Sequence, residues 1–205
     1  MSIKPLLLLT RSQASYSDTA KARRVYADVV KTTLRLGSTT VAYNSSIHTE
    51  ATNILAETAF RAGQRAIVGK MCVTQGSTGG NWEESVEASL NASEESIRFI
   101  RGLDPKARLI HSCVQPRGGP YCPPELMEGL GKQREKYDAY VQGHMCETQD
   151  DIGRFIPWVS VAPEVADSRR PHAPDSRPNL LQLHVSVPFS SQSEIDPSAL
   201  HTSSA

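Results

Sequence analysis

Two side chains near the middle of the sequence have the types and spacing for hydrolytic chemistry: His144 and Glu147, which close the run DAYVQGHMCE starting at Asp138. Neutral imidazole is a good zinc ligand. A carboxylate three positions on can carry protons between a metal-bound water, a substrate and a leaving group. The pattern also has a plainer explanation. A histidine at a strand end takes a backbone partner, and a glutamate opening the next helix is favoured by the helix dipole. Short His-x-x-Glu patterns are common. A zinc site needs about three or four protein ligands, and this run offers one convincing ligand.

Arg117 is the next candidate, in the run VQPRGGP from Val114 to Pro120. Its guanidinium can donate two parallel hydrogen bonds to a carbonyl and a ring nitrogen; the alternative is a solvated loop arginine. The neighbouring prolines and glycines fix the course of the loop and let backbone approach a ligand closely. His48 also follows a strand-like run and reads as a residue at the start of the next helix, with a pocket-lining role as the alternative. His111 lies inside a strand-like run and reads as packed core. His172, His184 and His201 have no usable spacing. The Pro-Cys-x-x-Cys motif that the cytosine-type zinc deaminases pair with a His-x-Glu is absent, as are phosphate-binding loops and Gly-x-Ser-x-Gly elbows.

The elements that must position these residues are legible in the hydrophobic pattern. Residues 18–36 predict a helix with Asp18 as N-cap, a stripe of Val25, Val29, Val30, Thr33 and Leu36, and Gly37 as breaker. Residues 38–43 predict a strand, 49–62 a helix ended by Gly63, and 66–73 a near-continuous apolar strand. A helix over 82–101, a strand over 108–115, a helix over 124–136 and a strand over 139–143 follow. Uniformly apolar strands alternating with helices indicate a parallel sheet covered by helices. Without a Gly-x-Gly-x-x-Gly fingerprint, that pattern favours a partial (β/α)8 barrel over a dinucleotide-binding fold. A whole barrel takes roughly 250 residues.

The expected organisation is three-part: 1–17 as a separate N-terminal segment, 18–153 as the partial barrel, and 154–205 as a Pro/Ser-rich, disordered tail. In that tail, 180–187 could form one short strand with no predictable partner. Lys+Arg and Asp+Glu both total 22, so no basic face argues for nucleic acid. The apolar stretch near the start is too short for a signal peptide or a membrane span. The cysteines, Cys72, Cys113, Cys122 and Cys146, show no paired spacing and read as reduced thiols. Together these features point to a cytoplasmic protein.

Several runs resemble the guanine deaminases of the amidohydrolase superfamily: Ile47-His48-Thr49; residues 63–66, Gly69-Lys70 and Cys72; Pro116-Arg117; residues 125–127 with 129–131; and the segment from Val141 to Glu147. The resemblance covers about residues 18–152. It implies a zinc-bound hydroxide attacking the amino-bearing carbon of guanine, giving xanthine and ammonia. By that likeness His144 is a zinc ligand, Glu147 the proton shuttle and Arg117 the residue that orients the purine. The family places an aromatic residue directly after this arginine, where Gly118 stands here. Its His-x-His pair should lie upstream of residue 18, where no histidine occurs, and further ligands should lie downstream of 152.

The expectation is therefore a guanine-deaminase-like zinc aminohydrolase, metal-poor and inactive by itself because one histidine cannot hold zinc tightly. The runner-up is a non-catalytic homologue that associates with a full-length enzyme or with itself as a homo-oligomer, motivated by unpaired sheet edges. A third reading takes the tail and the first residues as non-native sequence.

Overall fold

Asp18 acts as its residue type predicts: its side chain accepts the backbone N–H of Lys21 at 3.0 Å and starts the first helix. The computed structural model of the chain describes residues 14–75, 81–118 and 121–144, with the backbone of 182–184. After one turn of 3-10 helix at Ser15–Ser17 come α1 (Thr19–Arg35), β1 (Thr40–Asn44), α2 (Thr49–Arg61), β2 (Arg65–Gly69) and β3 (Met71–Cys72). They are followed by α3 (Val86–Leu103), β4 (Ile110–Pro116), α4 (Pro124–Tyr137), β5 (Tyr140–His144) and β6 (Gln182–His184).

The strands lie in the order β1-β2-β4-β5-β6, with β3 also against β4, and every pairing is parallel. Spatial order follows chain order, so each crossover adds its strand on the same side. A doubly wound sheet reverses that direction partway, whereas a barrel does not. The helices obey the same succession, with α1 packing on α2, α2 on α3 and α3 on α4. This is the partial (β/α) barrel that the alternating pattern predicts.

Two clusters fill the space between sheet and helices. One joins Ala22, Tyr26 and Val30 of α1 to Ile54 and Leu55 of α2 and Val68 of β2. The other joins Ile97 of α3 to Val114, Leu126 and Leu130. Each such fully buried aliphatic side chain contributes about 1.5–3 kcal/mol over leaving it in water. Because α3 supplies Ile100 to the first cluster and Ile97 to the second, it couples the two halves of the core.

Three expectations shift. The buried ridge of α1 is Ala22, Tyr26 and Val30, while Val29 and Leu36 are exposed. The ring of Tyr26 stacks on Tyr16 at 5.1 Å and takes the core position that a valine stripe was expected to fill. The apolar run 66–73 is broken at Lys70, yet Ala66 pairs with Ile110 and Met71 with Gln115 in the same register. It is one strand with a local interruption. Residues 182–184 do pair, parallel to β5, with Gln142 opposite Gln182. The rest of the expected disordered tail lies outside the described residues. Among the described residues no helix is long and apolar enough to cross a membrane.

Candidate active site

Side chains alternate between the two faces of a strand, so register decides which residues share the concave face. Val68 packs with the helices; its neighbour Gly69 and the register partner Asn44 therefore face the other way. The same alternation turns Gln115, Gln142 and His144 inward. In a flat sheet, β1 and β5 would stand about 14 Å apart, three strand spacings. The Nδ2 of Asn44 nevertheless lies 3.1 Å from the Nε2 of His144. The sheet is curled as in a barrel wall, and Gly69 permits part of that curl: a Cβ there would overlap the Cys113 carbonyl.

Asn44 is the hub of an amide network. Its Oδ1 accepts from the Nε2 of Gln115 at 2.7 Å and from the Nε2 of Gln142 at 3.0 Å. That leaves its Nδ2, a donor, facing His144, so Nε2 of His144 is the acceptor and the ring proton of the neutral form sits on Nδ1. The Oε1 of Gln142 faces the Sγ of Cys113 at 3.8 Å. The Oε1 of Gln115 is buried with no hydrogen-bond partner among the described residues. None of the amide residues was singled out from the sequence.

Arg117 leaves β4 at the same end of the sheet. Its backbone N–H donates to the Cys72 carbonyl at 3.0 Å. A Cβ on Gly118 would stand 3.5 Å from the His144 carbonyl oxygen, so the arginine loop and the end of β5 are packed side by side. The guanidinium Nη1 is buried and has no hydrogen-bond partner among the described residues. Such a group calls for a partner, and a ligand or a water can supply it; Thr74 Oγ1 and Gln133 Oε1 are in the same position elsewhere among the described residues. An unpaired donor on Arg117 and an unpaired acceptor on Gln115 thus stand two positions apart at one strand end.

His48 occupies the N-cap position of α2, as expected, without capping through its ring. Its Nε2 lies 3.2 Å from the Ala14 carbonyl. Burial is the main influence holding its pKa below the ordinary imidazole value, with Lys70 adding to it and the Ala14 contact opposing it. His111 is half-buried and meets Tyr140 edge to face at 5.2 Å. Cys72, Cys113 and Cys122 are free and buried; burial pushes the Cys122 thiol up to about 11. Glu147 and Cys146 lie outside the described residues.

Behind the rim, Lys70 is buried and ion-paired with Glu83. Its Nζ also donates to the Met71 carbonyl at 3.0 Å. Glu83 accepts from Ser89 Oγ and from the Val73 N–H at 3.4 Å, while its own N–H donates to the Val73 carbonyl at 2.8 Å.

Comparison with known proteins places this geometry. The amidohydrolase family profile matches residues 5–160. The chain belongs to the amidohydrolase family. Within that family it is similar to a probable guanine deaminase of Schizosaccharomyces pombe, 36% identical over 140 residues, which are 68% of this chain and 27% of that protein. Among solved structures, the guanine deaminase of Escherichia coli superposes with a TM-score of 0.65 at 27% identity, over 75% of this chain and 34% of that one. The guanine deaminase of C. acetobutylicum, solved with guanine in its active site, gives 0.64 at 28%, over 74% and 35%. This amidohydrolase chain therefore spans about a quarter to a third of the length of these relatives.

The family likeness implies zinc, and the described residues do not make a zinc site. Among them there is no group of three or more His, Cys, Asp or Glu side chains placed to hold a metal ion. The Nε2 of His144 faces an amide donor, and the rest of the hub is carboxamide, a weak donor set for zinc.

Proposed function

We propose that this chain carries the purine-recognising side of a guanine-deaminase-like aminohydrolase, the reaction being guanine plus water to xanthine plus ammonia. Arg117 is the residue that orients the purine, His144 the metal-ligand-type side chain at the rim, and Glu147 the carboxylate that moves protons. The observation that carries the reading is the pair of unsatisfied atoms at the end of β4. Guanine offers its O6 carbonyl and N7 to a guanidinium and its N1–H to an amide oxygen. Arg117 Nη1 and Gln115 Oε1 supply that donor and that acceptor. Guanine deaminases among the relatives, one of them with bound guanine, support the choice of base.

The donors among the described residues are not placed to hold a metal. The chain by itself is accordingly expected to bind the base without turning it over. Equilibrium dialysis with radiolabelled guanine tests this. The chain should retain guanine, R117A should lose about tenfold or more of the affinity, and no ammonia should accumulate. Retention unchanged in R117A would remove Arg117 from recognition. Ammonia release matched to xanthine formation would overturn the inactivity of the chain alone.

A further inference from the structure

Gly118 leaves Arg117 without the aromatic neighbour that the family places directly after it, yet the guanidinium is not left bare. Its Cζ lies over the ring of Tyr121, 5.3 Å from the centroid, within the range of a cation–π contact. Local backbone brings the ring there. Gly118 adopts φ +139°, a conformation L side chains rarely take, and its carbonyl accepts the Tyr121 N–H at 3.1 Å.

Arg117 on one side and Tyr121 with Cys122 on the other are tied to the same short segment, Cys72 to Thr74. Arg117 N–H and Cys122 Sγ both donate to the Cys72 carbonyl, at 3.0 and 3.2 Å, and the Tyr121 carbonyl accepts the Thr74 N–H at 3.2 Å. Ring and guanidinium thus sit on residues whose backbones are anchored to one segment, which reduces the entropy cost of holding a long side chain in place. Among the described residues, no ion pair competes for Arg117. Its Nη1 is left buried and unpaired.

We infer that Tyr121 is the positioning residue for Arg117 in this chain, substituting from three positions downstream for the aromatic group absent at 118. By covering the guanidinium it fixes the plane in which the in-plane donors meet a flat, acceptor-bearing heterocycle. Tyr121 acts through Arg117, and the consequence for guanine rests on the function proposed above.

The test uses the full chain and reads Arg117 directly. Its Nε–Hε resonance, assigned by its loss in R117K, should carry a ring-current shift in the wild type. That shift should persist in Y121F, which keeps the ring, and vanish in Y121L, which keeps the bulk. An unshifted wild-type resonance, or one that stays in place in Y121L, would overturn the pairing whatever the chain binds. In dialysis with guanine, Y121F should match wild type within about twofold and Y121L should bind about tenfold more weakly. A chain that fails to retain guanine would defeat the proposed function while leaving the resonance to decide the role of Tyr121. Retention that is equal in wild type and Y121L would show that the pairing does not serve recognition.

Discussion

Asn44 uses one carboxamide to join its own strand β1 to β4 and β5: two acceptor contacts, to Gln115 and Gln142, and one donor contact to His144. Replacing it with leucine keeps the volume and removes both functions. In N44L the Nε2 of His144 loses its donor, so the neutral ring should shift from the Nδ1–H tautomer towards a mixture. Long-range nitrogen spectra will report it. Stability should fall by about 1–3 kcal/mol, because two buried amide donors lose their acceptor. A wild-type tautomer in N44L would show that the amide does not orient the ring. At this scale the sequence is legible in part. His144 and Arg117 stand out because each follows an apolar strand and ends on a polar group. Asn44 does not, because a carboxamide has no spacing signature and its partners lie 71, 98 and 100 positions away. Tyr121 is hidden for a different reason: its contact with Arg117 goes with the bond from its N–H to the Gly118 carbonyl, which no spacing pattern announces.

Between elements, the Lys70–Glu83 pair fixes the break between β2 and β3 and closes the two ends of the segment leading to α3, since Val73 and Glu83 also bond through their backbones. Removing one member leaves a buried charge without a partner. K70M should therefore cost about 3–5 kcal/mol, whereas K70M/E83L, which removes both charges, should recover much of that loss. Urea unfolding of the single and double variants measures the difference, and equal losses would mean that the charges are not coupled. The strands and helices around this pair are largely readable from periodicity, and most boundaries agree within a few residues. The exceptions arise where packing overrides pattern. Lys70 is tolerated inside an apolar run because Glu83 reaches it from the segment before α3. In α1 the sheet and α2 select Ala22 and Tyr26 over Val29 because small and aromatic side chains fit that contact.

Across the whole molecule, partners of one ionisation state tie distant parts of the chain together, and pH tests them jointly. His48 titrates below the ordinary imidazole range, mainly because it is buried, so the unfolded chain binds its proton first. Stability should thus begin to fall as pH drops below about 6.5, the unfolded value. Glu94 on α3, hydrogen-bonded by Lys136 and Tyr137 of α4, is held down to about 2. For Asp104, burial opposes ionisation, but the N–H groups of Leu109 and Ile110 outweigh it and keep the carboxyl below its usual value. Both carboxylates contribute above their unfolded pKa values and lose that contribution as pH falls through the folded ones. Unfolding midpoints should therefore decline in two stages, one starting below about pH 6.5 and one below about pH 4.5. H48Q should abolish the first stage and D104N should diminish the second. Salt should weaken the Glu94 share, whose partners are solvent-exposed, and leave the Asp104 share, held by buried backbone donors, nearly intact. A single transition unaffected by H48Q would mean that folding does not sense the charge on His48 through its burial and its contact with Ala14.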